Sequence, residues 1–233
     1  MLDRSKEKIF IIVPAYNEEK TVKSVIKELC EMGYKVLLID DGSQDKTYSL
    51  GKSMQNEYSD QILIYQHVIN RGLGAALKTG MDAAAINGAD FIVTFDADGQ
   101  HDHKDIENIC KPLITGEADV VIGKRNFKDM PITRNLGNYG MNIITMIFYG
   151  IYVNDSQSGL RGFTVSSTKL LKLHSRGYGV SSEIISEVKK NNLKLKEVPI
   201  KTIYTDYTIS KGTNTTVALK ILFKMIMDIL KKV

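Results

Sequence analysis

The segment FIVTFDADGQH, residues 91–101, joins a short apolar run to two aspartates that stand two positions apart. The run FIVTF predicts a buried strand, so Asp96 and Asp98 fall at its carboxyl end. Two carboxylates at close range raise each other's pKa unless a cation lies between them. The pair therefore either faces water in an Asp-Gly turn or shares a metal ion, and the motif alone favours neither.

Strand-like and helix-like segments alternate around this motif throughout the first half of the chain. Predicted strands cover 9–14, 35–41, 61–68, 90–95 and 119–122, and predicted helices cover 18–32, 45–58, 72–87 and 103–115. Continuous apolar strands separated by helices indicate a parallel sheet that is covered on both faces. We therefore predict an α/β fold, in which ligands bind outside the carboxyl ends of the strands.

The second half of the chain is less regular. Residues 132–153 are rich in apolar and aromatic side chains, and the motif DSQSGLRGF follows them. A helix over 179–191 and a strand over 194–204 come next. Neither an internal repeat nor a low-complexity linker divides the sequence, so we expect a single domain over 1–213.

The last segment, 214–233, predicts an amphipathic helix, because lysines recur at helical spacing along an otherwise apolar stretch. A broad apolar face edged by lysines is typical of a helix that lies in a membrane interface. Packing of this helix on the core or on a second subunit is the alternative.

Composition sets outer limits on the function. Hydrophobic residues make up 43% and charged residues 25% of 233 positions, as in ordinary globular proteins, and a net charge of +4 is too small to indicate nucleic acid as a partner. Cys30 and Cys110 are far apart, which favours reduced structural thiols. The polar N-terminus argues against a signal peptide, and no apolar run reaches the ~18–20 residues of a spanning helix. We expect a cytoplasmic protein, free or peripheral on the cytoplasmic face of the membrane.

The motif PAYNEE, residues 14–19, follows the first predicted strand. Pro14 is expected to end that strand, Tyr16 offers a flat face to a nucleobase, and Glu18 could accept hydrogen bonds from a ribose. The alternative is structural, with Asn17 capping a helix that carries acidic residues in its first turn.

Two further motifs, DDGSQD at 40–45 and NRGLG at 70–74, follow the second and third predicted strands. Asp41 could accept a hydrogen bond from a nucleobase, whereas Asp40 could simply fix the loop. Backbone N–H groups at a helix start, together with Arg71, suit a nucleotide phosphate.

Taken together, PAYNEE, DDGSQDKT, NRGLGAA, ADFIVTFDADGQH, DVVIGKR and DSQSGLRGF resemble the family-2 glycosyltransferases of GT-A fold. The resemblance is strongest to their dolichyl/polyprenyl-phosphate mannose or glucose synthase branch, and it covers about residues 9–211. It implies a Rossmann-like, mostly parallel central sheet with helices on both faces.

The resemblance also implies the site residues. The donor would contact Pro14, Ala15, Tyr16, Glu18, Asp41, Arg71, Gly72, Asp96, Ala97 and Asp98. A divalent metal, Mg²⁺ or Mn²⁺, would be held by Asp98 and Gln100. The acceptor phosphate would meet Arg125, Arg134, Ser158, Arg161 and Lys211. The catalytic residues would be Asp96, Asp155 and Arg161.

The implied reaction is the inverting transfer of one sugar from a nucleotide sugar, a UDP-hexose or GDP-mannose, to a polyprenyl phosphate. A phosphate monoester, with its second pKa near ~6, is already largely dianionic at neutral pH and needs cations rather than a base. Residues 124–134 carry four basic side chains and one acidic one, although a solvated loop would explain them equally well. Because the chain has no Trp, the QxxRW signature of processive synthases is absent, which indicates transfer of a single sugar.

Three alternatives differ in chemistry. A hydroxyl acceptor on a glycan, glycolipid or protein would demand a base, for which Asp155 and Glu183 are the candidates. A binding protein without turnover is the second, and a sugar nucleotidyltransferase is the third, although PAYNEE stands where the latter would need a Gly-rich basic loop. Expected partners are the nucleotide sugar, the lipid phosphate, the membrane surface, and a membrane protein or a second copy of the chain.

Overall fold

The computed structural model describes residues 8–126, 132–174 and 179–203, with only the backbone described for 132–137, 144, 148 and 149. The predicted C-terminal helix over 214–233 and the predicted phosphate ligand Lys211 lie outside these residues.

Seven strands and seven helices make up the described part of the chain. The strands are β1 (Ile9–Ala15), β2 (Lys35–Asp40), β3 (Ile62–Gln66), β4 (Phe91–Thr94), β5 (Val120–Arg125), β6 (Arg161–Thr164) and β7 (Leu195–Ile200). The helices are α1 (Val22–Glu31), α2 (Thr47–Glu57), α3 (Leu73–Ile86), α4 (Asp105–Ile114), α5 (Ile132–Tyr149), α6 (Val165–Thr168) and α7 (Gly179–Lys190).

All seven strands form one sheet in the order β3-β2-β1-β4-β6-β5-β7. Six strands point the same way, and β6 runs antiparallel to both of its neighbours, β4 and β5. The predicted mostly parallel sheet is therefore confirmed, but the sequence did not predict β6. Its reversed direction matters for the site, because the first residue of β6, Arg161, pairs with Thr94 and Ile122 close to the carboxyl ends of β4 and β5.

Helices cover both faces of the sheet, as the apolar strands predict. Alternate residues of each strand point to opposite faces: Ile11 of β1 packs in a core with α1 and α4, whereas Ile12 packs in a second core with α3 and α7. Within the described ranges, no helix combines the length and the hydropathy needed to cross a bilayer.

Two predicted boundaries are wrong at the edge where the site lies. β1 continues through Pro14 to Ala15, which pairs with Asp40 of β2, so Pro14 does not end the strand. Helix α1 begins at Val22 rather than at Glu18. The N–H groups of Glu18 and Glu19 donate to side chains of Thr47 and Asp45.

Candidate active site

The loops that follow β1 and β2 are joined by hydrogen bonds at the carboxyl edge of the sheet. The backbone N–H groups of Asn17 and Glu18 donate to the hydroxyls of Ser43 (3.0 Å) and Thr47 (2.8 Å). The Asn17 side chain accepts from the N–H of Gln44 at 2.9 Å, with its backbone in the left-handed region (φ 56°). Asn17 therefore joins two motifs and does not cap α1, contrary to the structural alternative considered for PAYNEE.

A cavity of about 480 Å³ opens beside these loops. Its lining comprises Tyr16, Gly42, Ser43, Gln44, Gln66, His67, Val68, Ile69 and Asn70. Tyr16 is 41% exposed and offers the predicted aromatic face. The segment 66–70 forms one wall of the cavity. Only Asn70, in NRGLG, was recognised from the sequence, because residues 66–69 belong to no motif.

Asp41 holds this wall in place. Its carboxylate accepts from the backbone N–H groups of Arg71 (2.9 Å) and Gly72 (2.7 Å), and from Nδ1 of His67 (2.6 Å). Nε2 of His67 in turn contacts the Thr79 hydroxyl at 2.9 Å. Both oxygens of the buried Asp41 thus bind groups of the protein itself. The Arg71 side chain, in contrast, is exposed.

Replacing Gly42 by alanine should damage the cavity. Gly42 has φ +73°, and an added Cβ would lie 2.6 Å from the carbonyl carbon of Ile69 and 2.7 Å from the N of Asn70. Since both are backbone atoms, the wall must move. We expect roughly 1–3 kcal/mol of lost stability, together with weaker binding of the nucleotide that the family resemblance implies. Thermal unfolding and calorimetric titration with UDP and Mn²⁺ would measure the two effects.

The matched control is Gly88→Ala, because Gly88 has a similar φ of +81° but open space around an added Cβ. It shares the backbone strain without the clash, so it should lower stability slightly and leave UDP binding unchanged. Equal UDP affinity in the two variants would contradict the proposed wall.

Asp96 interacts with three basic side chains, His101, Arg161 and Arg125, and 37% of its own side chain is exposed. Nε2 of the buried His101 donates to its Oδ2 at 3.1 Å, since a carboxylate can only accept. Partial burial disfavours its charge, yet the bond to His101 and the charges of His101, Arg161 and Arg125 hold the pKa of Asp96 below its usual value. Asp96 therefore stays ionised.

The pKa of Asp98 is shifted in the opposite direction from that of Asp96. Burial and then the negative charge of Asp96, with a smaller contribution from Glu18, raise the pKa of Asp98 to about 6. One hydrogen bond, from the Gln100 N–H at 3.0 Å, supports the carboxylate. A carboxylate left with this much repulsion fits a divalent cation, because Mg²⁺ and Mn²⁺ take a few protein oxygens and complete their shell with phosphate and water.

The described residues contain no group of three or more His, Cys, Asp or Glu side chains arranged to hold a metal. A cation here would need oxygens from elsewhere, and a bound diphosphate supplies them. The predicted metal residues Asp98 and Gln100 thus suit a metal whose remaining ligands would come from a bound diphosphate.

Arg161 and Ser158 form a buried wall beside Asp96. Arg161 is only 2% exposed, and burial lowers its pKa to about 10 against the raising effect of Asp96 and Asp155. Its Nη2 donates to the Ser156 carbonyl at 3.1 Å, whereas its Nε has no hydrogen-bond partner among the described residues. The Ser158 hydroxyl is buried and unpartnered in the same sense. Such free donors suit an anionic oxygen.

Arg125 and Asp155 are paired. Nε and Nη2 of Arg125 donate to the two oxygens of Asp155 at 2.7 and 2.8 Å, and the Arg125 N–H adds a third bond at 3.1 Å. Asp155 is completely buried. Glu183 accepts twice from the His174 N–H at 3.0 Å, within the α7 region. Of the two candidate bases for a hydroxyl acceptor, Asp155 is therefore fully engaged with Arg125, whereas the Glu183 carboxylate accepts from a backbone N–H group.

The remaining predicted residues differ in how they reach the site. Ala97 points into the core between α1 and α4, so its contact with a donor would be through the backbone. Pro14 and Ala15 lie in β1 next to β2. Arg134 lies in α5, and its side chain is outside the described atoms.

Comparison with known proteins agrees with this geometry. The sequence model described as glycosyl transferase family 2 matches residues 10–173. The chain belongs to glycosyl transferase family 2. This family-2 glycosyltransferase carries the motif DADGQH, the α1–α4 core and the Arg161 strand inside the matched range.

Its relatives identify the branch. UDP-N-acetylglucosamine–dolichyl-phosphate N-acetylglucosaminyltransferase from Methanococcus voltae is 41% identical over 238 residues, covering 94% of this chain and 95% of the relative. Polyprenol monophosphomannose synthase from Mycolicibacterium smegmatis is 24% identical over 225 residues, covering 92% and 84%. The predicted polyprenyl-phosphate sugar transferase branch of family-2 glycosyltransferases is thereby confirmed.

The fold has solved counterparts. Glucosyl-3-phosphoglycerate synthase from Mycobacterium tuberculosis, crystallised with Mn²⁺, UDP and glucosyl-3-phosphoglycerate, superposes with a TM-score of 0.61 at 18% identity, covering 96% of this chain and 82% of that one. The likeness confirms the GT-A fold of the family-2 glycosyltransferase.

Proposed function

We propose that this glycosyltransferase moves one sugar from a UDP-sugar to a polyprenyl phosphate, with a divalent metal and with inversion at the anomeric carbon. The main support for the proposal is the arrangement of charged side chains in the site. The carboxylate of Asp98 is repelled by that of Asp96, the buried cation Arg161 interacts with Asp96 at the same edge of the sheet, and the candidate base Asp155 binds Arg125 through both of its oxygens.

On the donor side, Asp98 and Gln100 would hold Mg²⁺ or Mn²⁺ against the diphosphate. When bound, the metal neutralises charge on the departing nucleoside diphosphate. Tyr16 and the wall at 66–70 would enclose the base, and Asp96, held by His101, would orient the ribose or the sugar. The M. voltae relative is named for UDP-N-acetylglucosamine, which makes this the first donor to test.

On the acceptor side, Arg161 and Ser158 offer unpartnered donors to a phosphate, with Arg125 beside them. A phosphate oxygen that is already anionic can attack without a base, from the face opposite the leaving group, which inverts the configuration. A hydroxyl acceptor is the less supported alternative, because it needs a base and the candidate Asp155 is fully buried and bound through both oxygens to Arg125.

The acceptor lipid places this reaction at a membrane surface, and we propose a peripheral position on its cytoplasmic face. Four exposed apolar residues in and after α5 support it: Tyr139, Met146, Ile147 and Tyr152. The predicted C-terminal helix over 214–233 would add a second apolar surface. A membrane protein or a second copy of the chain could serve as the anchoring partner.

A radiolabel partition assay would test the function directly. Purified protein, Mn²⁺ or Mg²⁺ and a short-chain polyprenyl phosphate would be incubated separately with labelled UDP-N-acetylglucosamine, UDP-glucose and GDP-mannose. We expect label in the organic phase, first with UDP-N-acetylglucosamine, and loss of transfer with EDTA. Metal-dependent UDP binding without lipid product from any donor would reject the lipid-phosphate acceptor and point to a hydroxyl.

A further inference from the structure

Glu197, on the edge strand β7, holds the turn that contains Asp155. Its Oε1 accepts from the backbone N–H groups of Asn154 (2.9 Å) and Asp155 (3.1 Å). Its Oε2 accepts from the Asn154 N–H (3.1 Å) and from the Asn154 side-chain amide (2.7 Å). One carboxylate thus makes four hydrogen bonds to two consecutive residues.

Helix α5 also binds this turn, through Asn142. The buried Asn142 accepts from the Ser156 N–H at 2.9 Å, and its amide donates to the Asn154 carbonyl. Backbone groups of three consecutive residues are therefore bound by side chains from two distant elements. Asp155 and Ser156 are fully buried, so their backbone N–H groups need partners, and side chains from β7 and α5 supply them and fix the position of the turn.

The turn fixes Arg125 through Asp155. Asp155 is fully buried and binds Arg125 through both of its oxygens, so a shift of the turn would carry the guanidinium with it. Glu197 places a second carboxylate next to Asp155, and each of its described contacts is an N–H group rather than a cation. Glu197 thus uses its hydrogen bonds to fix the backbone of the turn that carries Asp155.

We propose that Glu197 is a positioning residue that acts through Asp155 to aim the Arg125 guanidinium at the acceptor phosphate. The assignment of that phosphate rests on the proposed function, whereas the coupling of Glu197 to Arg125 does not. Glu197 itself touches no reacting atom.

Hydrogen exchange tests the coupling without any substrate. In Glu197→Ala, we expect amide exchange to rise about tenfold or more at Asn154, Asp155 and Arg125, with little change in the β1–β4 core. Glu197→Gln should restore protection, because the glutamine carbonyl oxygen can still accept both backbone N–H groups. The Asn154 side-chain amide can flip so that its oxygen accepts from the glutamine NH₂ group. Lys196→Ala, which removes only the exposed pair with Glu117, should match wild type.

Steady-state kinetics test the consequence. Glu197→Ala should raise the KM for polyprenyl phosphate about tenfold or more and leave the KM for the nucleotide sugar within about twofold, and Glu197→Gln should recover most of the loss. If Glu197→Ala does not fold, Glu197→Asp replaces it, because it keeps the charge but withdraws the carboxylate by one methylene.

Several outcomes would overturn the inference: exchange that rises uniformly or not at all at the three amides, an unchanged KM for the acceptor, or a glutamine variant as poor as alanine. A wild-type protein that transfers no sugar to lipid phosphate would reject the proposed function alone, and the exchange measurement would still decide the coupling.

Discussion

Asp98→Asn should lower sugar transfer by about a thousandfold or more without unfolding the protein. The change keeps the oxygen that accepts from the Gln100 N–H but removes the charge that would bind the metal. Metal neutralisation of a leaving group contributes several kcal/mol to the transition state, and about 4 kcal/mol corresponds to roughly a thousandfold in rate. Added Mn²⁺ should recover little of the loss.

Unlike transfer, the stability of the Asp98→Asn variant should not decrease. Burial and the charge of Asp96 raise the pKa of Asp98 to about 6, so the neutral amide relieves a repulsion, and the melting temperature of the metal-free protein should not fall. Asp82→Asn, on the exposed side of α3 where Asp82 pairs with Lys78, is the charge-matched control and should keep full activity. Normal turnover in Asp98→Asn would remove Asp98 from the metal site.

Gly159→Ala should reduce transfer by about a hundredfold while the fold survives. An added Cβ would lie 1.9 Å from Oδ2 of Asp96, 2.5 Å from its Cγ and 2.6 Å from Oδ1, so the Asp96 carboxylate must leave its place. Because the bond from His101 fixes that place, the displacement also breaks the pairing that keeps Asp96 oriented. A shift of about 1 Å near reacting groups can change a rate by roughly a hundredfold.

The matched control for Gly159→Ala is Gly140→Ala in α5, where an added Cβ meets nothing within 4 Å. This control should keep its activity and gain slightly in stability, because alanine favours a helix by about 1 kcal/mol over glycine. Circular dichroism and a crystal structure of Gly159→Ala would show whether the fold and the Asp96 rotamer change. Full activity in Gly159→Ala would mean that the position of Asp96 is not needed for transfer.

Local patterns were sufficient for the strands and helices of the first half. The apolar runs that became β1, β2 and β4 are too short for helices, and their alternation with amphipathic segments predicts a covered parallel sheet. The polar motifs were predicted to follow the strand ends, and Asp96 and Asp98 do follow β4, whereas the place of Arg161 was implied only by the family resemblance.

β6 could not be predicted in the same way. It has four residues, and two of them, Arg161 and Gly162, are unlike those of a buried strand. Its pairing partners come from β4 and β5, far away in the chain. Gly162 is required because an added Cβ would lie 2.5 Å from Ile109 of α4, a contact that exists only after the layers have packed.

The sequence by itself determined the fold class, the family and the side chains available for metal and phosphate, because these depend on residue type and local spacing. Only the tertiary structure decided what each side chain is free to do. Asp155 was a candidate base until its burial with Arg125 engaged both of its oxygens. Glu197 belongs to no sequence motif, and only its four hydrogen bonds to Asn154 and Asp155 connect it to that pair. Hydrogen bonds and burial arise between distant segments, and short-range sequence patterns do not contain them.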